Sequence, residues 1–60
     1  METIIYDLDH ACMVAIEQSK KDKNNYYHVG FNESKKAYTV TRYYENNCKY
    51  YASKGILKEH

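Results

Sequence analysis

Eight tyrosines, three histidines and two cysteines are the side chains with chemistry to offer in this 60-residue sequence. His10, Cys12, His28 and Cys48 are zinc-ligand residue types, but no Cys-x-x-Cys or His-x₃-His pair occurs among them. On a helix, residues 10 and 12 diverge and cannot chelate one ion. No metal centre is expected, and His60, last in the sequence, is expected to be disordered. Nucleophilic catalysis fares no better. There is no glycine-rich phosphate loop and no nucleophile elbow. Cys12 falls on an apolar stripe where burial leaves a thiol inert. His28 has no evident carboxylate to orient it. The chain is therefore expected to be no enzyme and to use no cofactor. Tyrosine is left, a rigid and amphipathic side chain suited to interfaces.

The elements that must carry these side chains follow from periodicity. Ile5, Leu8, Cys12, Ala15 and Ser19 recur at spacings of three and four, and Ile4, Ala11 and Ile16 widen the stripe. The pattern predicts a helix over residues 4–21, capped by Thr3 or Asp7. Glu2, Asp7 and Asp9 lie early and Lys20, Lys21 and Lys23 late, as the helix dipole favours. A strand at 3–6 before a shorter helix is the alternative. Residues 26–32, 37–45 and 48–53 alternate and are rich in Tyr, Val and Thr, which predicts three strands. Glu33 to Lys36 and Asn46-Asn47 are the connecting turns, and Gly55 ends the last strand. The expected fold is α+β: one N-terminal amphipathic helix packed on a three-stranded antiparallel β-meander, as a single small domain.

Those turns set a register. Phe31 faces Tyr38, Val29 faces Val40, His28 faces Thr41, and Tyr43 lies between Tyr26 and Tyr50. Tyr27, Val29, Phe31, Tyr38, Val40 and Tyr51 then face the helix. Tyr26, His28, Thr39, Thr41, Tyr43 and Tyr50 form the opposite face. Tyr26, His28, Tyr43 and Tyr50 are the expected partner-binding residues. Lys35, Lys36 and Lys49 are the candidate contacts to nucleic acid, though none lies on the tyrosine face.

Ile4-Ile5-Tyr6-Asp7-Leu8-Asp9 resembles the apolar strand and Asp-x-Asp of haloacid-dehalogenase-type phosphatases, in which the first aspartate is the nucleophile and the second an acid/base. The resemblance ends there. His10-Ala11 stands where that family has Gly-Thr, and its later lysine and acidic motifs have no room in this chain. Acidity at a helix start accounts for the same residues.

A net charge of +1 excludes a polybasic arm or an acidic nucleic-acid mimic. No apolar run approaches the roughly 18 residues of a membrane span. Two cysteines make no secreted framework, so reduced thiols and a cytoplasmic location are expected, with a Cys12–Cys48 bridge as the alternative. With no Trp and one Phe, tyrosine must supply core bulk, and association with itself or a different protein is the common remedy for so small a core. Lys, Asn, Tyr and Ile are heavily used, as in low-GC Gram-positive bacteria and their phages. The expected function is a protein-binding module, an accessory regulator or inhibitor of a phage or mobile element that acts by steric occlusion. The alternatives are a small dimeric nucleic-acid-binding regulator and a structural subunit of a larger assembly.

Overall fold

The computed structural model describes residues 3–60. Its elements run β1 (Thr3–Ile5), α1 (Leu8–Lys21), β2 (Tyr27–Asn32), β3 (Ala37–Thr41), β4 (Cys48–Ser53) and β5 (Ile56–Glu59). One antiparallel sheet has the order β1-β3-β2-β4-β5. The α+β class is as expected, but the sheet has five strands and the helix follows a strand.

The first correction has a local cause. Thr3, Ile4 and Ile5 are β-branched and favour a strand. The helix then starts where Asp7, in an extended conformation, accepts the His10 N–H at 3.0 Å. Thr3 is therefore not the cap, and Glu2 lies outside the described residues. Asp22 closes the other end, its N–H donating to the Gln18 carbonyl at 2.9 Å.

Ala11, Ala15 and Ser19 form the buried stripe of α1. These short side chains bring the helix close to Val29, Val40 and Ala52 on the sheet. Tyr27, Tyr38, Tyr50, Leu8, Val14, Ile16 and Leu57 close the periphery of that core. Tyrosine thus supplies core bulk, as the scarcity of Phe and Trp requires.

The β2–β3 hairpin has the expected register, with His28 opposite Thr41, Val29 opposite Val40 and Phe31 opposite Tyr38. The meander does not continue from it. β1 occupies the outer edge of β3, so β4 pairs with the free edge of β2 instead. The strand expected over 37–45 stops at Thr41, whose hydroxyl donates to the Tyr43 carbonyl at 3.0 Å. Asn46-Asn47 does make a turn, closed by the Cys48 N–H on the Glu45 carbonyl, but it joins no paired strands.

β3 and β4 both run antiparallel to β2, hence parallel to each other. Residues 42–47 must return along β2 to reach the start of β4. They do so over the face away from α1. A Cβ on Gly30 would meet Asn47 Oδ1 at 3.3 Å and Cys48 Sγ at 3.4 Å. The Asn47 amide donates to the Phe31 carbonyl. His28, Gly30 and Ala37, all on this far face by alternation, are accordingly buried.

β5 is added by a turn in which Lys54 and Gly55 both have positive φ, 54° and 81°. That is the requirement of a two-residue type I′ hairpin turn. The turn is fastened to the helix by Ser19, which is fully buried. Its hydroxyl donates to the Ile16 carbonyl at 2.8 Å and accepts the Gly55 N–H at 2.9 Å. Ser19→Ala leaves that N–H without its acceptor and is expected to cost about 1–3 kcal/mol. Urea unfolding measures this, and an unchanged midpoint would contradict the role given to Ser19.

Candidate functional site: the aromatic far face

The far face gathers side chains from four segments. β2 supplies His28, preceded by Tyr26. The 42–47 crossover supplies Tyr44, β4 supplies Tyr51, and His60 follows β5. Tyr26 lies 5.7 Å from Tyr51 and 6.5 Å from His28, ring centre to ring centre. Tyr44 meets His28 edge-on at 5.7 Å. The His60 ring lies 5.1 Å from Tyr44, 4.8 Å from Tyr51 and 5.3 Å from His28. These separations fall within the range of favourable aromatic pairs.

His28 is the centre, with 8% of its surface exposed. Its Nδ1 lies 3.1 Å from His60 Nε2, and the two ring planes are inclined by only 22°. A centre-to-centre distance of 5.3 Å matches two rings meeting nitrogen to nitrogen in nearly one plane, the geometry of an N–H···N hydrogen bond. His60 is therefore ordered against the sheet, and its N–H also donates to the Lys49 carbonyl at 3.0 Å.

Burial, and next the neighbouring His60, push the His28 pKa below its ordinary value. The folded state thus prefers neutral His28, whereas the unfolded chain takes up a proton at the ordinary imidazole value. Stability is complete above that value and is lost as pH falls from it to the lowered one. At lower pH Asp22 adds a second loss. Asn25 and Tyr27 donate to its carboxylate at 2.8 and 2.9 Å and hold its pKa below the usual carboxylate range. Urea midpoints should therefore fall first across the imidazole range, and His28→Phe should remove that first fall. A midpoint level through the imidazole range would contradict the assignment.

The four residues expected to form the binding face are not brought together. Tyr26 and His28 are neighbours on it. Tyr50 is on the helix side, half-buried against the core, and Tyr51 takes its place opposite His28. The cause is an irregularity in the β2–β4 pairing. Tyr50 faces Val29 and Cys48 faces Gly30, so Lys49 is an extra residue that the turn-based register did not include. Tyr43, 71% exposed, instead lines a shallow cleft with Arg42, Glu45, Lys21 and Tyr27 at the end of α1. Tyr44 takes its place on the far face, against His28.

Lys35 and Lys36 lie in the β2–β3 turn, at the opposite end of β2 from His28. Lys49 lines a second shallow groove with Phe31, Glu33, Tyr38 and Asn47. Lys58 lies on the aromatic face, opposite Tyr51, and Lys49 also lines a groove with Cys48 and His60 at its rim. Both cysteines are free: Cys12 on the helix, its thiol pKa raised by burial and then by Asp9, and Cys48 beside Gly30 across the sheet. Among the described residues no cluster of three His, Cys, Asp or Glu side chains could hold a metal ion. Nor is any helix among them long and apolar enough to cross a membrane. No protein-family model, curated protein or solved structure matches the chain.

Proposed function

We propose that this protein is a small protein-binding module that docks a partner on the aromatic far face and acts by occluding the partner's surface. One observation carries the reading. Tyr26 and Tyr44, 58% and 60% exposed, stand at either side of a centre made of buried His28, half-buried Tyr51 and exposed His60 that fixes their rings. Large aromatic side chains already immobilised lose little entropy on binding. Ile4 and Ile56, 41% and 59% exposed, extend the same face to its two edges.

A second reading, a nucleic-acid stacking platform, has Lys58 beside Tyr51 in its favour. Lys58, with Lys49 at the rim beside His60, gives phosphates little to bind, so protein is the favoured partner. A pull-down from a low-GC Gram-positive lysate, with and without nuclease, separates the two. The expected result is a stoichiometric, nuclease-resistant protein retained by the wild-type chain and by Tyr43→Ser, and lost by Tyr26→Ser/Tyr44→Ser. Equal capture by that double variant, or capture that vanishes with nuclease, would overturn the proposal.

A further inference from the structure

We infer that the His28–His60 pair is a proton-operated latch that holds the aromatic face closed at neutral pH and releases it in mild acid. In the neutral pair one ring offers N–H and the other a lone pair, across the 3.1 Å between Nδ1 of His28 and Nε2 of His60. A first proton can be held by the pair without breaking this contact, because one ring then carries hydrogen on both nitrogens and donates to the lone pair of the other. A second proton has no such place. With both rings cationic all four nitrogens carry hydrogen, none accepts, and two like charges face each other.

The surroundings do not rescue the doubly charged pair. His28 is faced by Thr41 from β3, Tyr51 from β4, Tyr44 from the crossover, Tyr26 before β2 and His60 after β5. Lys58 and Cys48 share the face, and Lys49 lines a groove with His60 at its rim; Glu59 reaches that groove from the helix side, opposite Tyr50, and Glu45 lines the cleft with Lys21 and Arg42. Among the described residues no carboxylate lies within ion-pair distance of either ring. The first contact to break is the one with His60, which also touches Tyr44 and Tyr51. Its departure frees both tyrosines and unseats the surface on which a partner would dock. This consequence for docking rests on the function proposed above; the latch itself does not.

The test uses the full chain without a partner. Ring resonances of Tyr26, Tyr44, Tyr51, His28 and His60 are followed by NMR from pH 8 to about pH 4.5, a span that covers imidazole titration. In the wild type, the Tyr44 and Tyr51 rings are expected to shift together with the second of two linked His28/His60 steps. Tyr6 is not expected to move with them. In His60→Gln a side-chain amide replaces the imidazole. It does not titrate, and its oxygen accepts from cationic His28, so the acid-driven movement of Tyr44 and Tyr51 should disappear. Independent single-step titration of the two histidines, or the same acid movement in His60→Gln, would overturn the latch. If the latch behaves as described and a purified partner binds wild type and Tyr26→Ser/Tyr44→Ser alike, the docking proposal fails while the latch stands. If a partner binds through the face with the same affinity at pH 5 and pH 7.5, the latch does not govern docking and the inference fails in that respect.

Discussion

Gly30→Val is expected to destabilise the protein by about 1–3 kcal/mol, the usual cost of forcing extra methyl groups into a filled space. At an unobstructed position in a strand, the same change would be favourable by up to about 1 kcal/mol, because valine prefers extended backbone. The two readings differ in sign. The adverse sign follows from what lies above Gly30. A Cβ there already stands at 3.3 Å from Asn47 Oδ1, 3.4 Å from the Asn47 carbonyl oxygen and 3.4 Å from Cys48 Sγ. Two further methyl carbons would lift the crossover, break the Asn47 bond to the Phe31 carbonyl and pull Tyr44 away from His28. A chain of this size has roughly 3–9 kcal/mol of total stability, so the loss is a large fraction of it. Urea unfolding reads it, and a raised midpoint would mean that the crossover does not lie on Gly30.

The second large effect is on binding. Tyr26→Ser/Tyr44→Ser should weaken partner affinity on the order of a hundredfold or more, since truncated aromatic anchors commonly cost about 2 kcal/mol each. Both rings are more than half exposed, at 58% and 60%, so the helical circular-dichroism signal should persist. Tyr43→Ser removes a ring that is 71% exposed but lies on the cleft at the end of α1. It is expected to leave affinity unchanged, which makes it the control for a general loss of surface tyrosine. A loss with Tyr43→Ser equal to that with the double variant would move the docking surface to the cleft.

The contrast between Tyr43 and Tyr44 shows how far the sequence could be read. Local patterns were legible. Ala15 and Ser19 of the expected stripe, the Asp7 cap, the Asn46-Asn47 turn and the β2–β3 register all follow from nearest neighbours along the chain, although Ala11 rather than Cys12 completes the buried stripe. What depended on distant pairing was not. β1 was legible only as the alternative, a strand at 3–6 before a shorter helix, and β5, four residues long, is too short for periodicity to declare it. Once β1 takes the outer edge of β3, β4 has to pair elsewhere, and no feature within residues 37–53 records that competition. The extra residue at Lys49 then reverses which of Tyr50 and Tyr51 faces the core. Tyr26 and His28 share the far face as expected because His28 belongs to the locally determined hairpin and Tyr26 stands just before its first strand. Tyr44, Tyr51 and His60 reach the same place only through the crossover, the irregular pairing and the final strand. The Lys54-Gly55 turn does leave a signal, a glycine between two short extended runs, but such a glycine marks a plain strand end as well as a hairpin.

The central claim is that residues 42–47 cross the far face and bring Tyr44 onto His28. Proton–proton Overhauser contacts test it most directly. The structure requires ring contacts between Tyr44 and His28 and between Tyr51 and His60, with backbone contacts between His28 and Tyr51. Backbone contacts between Tyr43 and Tyr50, with none between His28 and Tyr51, would instead establish the three-stranded meander and contradict both the crossover and the face built on it.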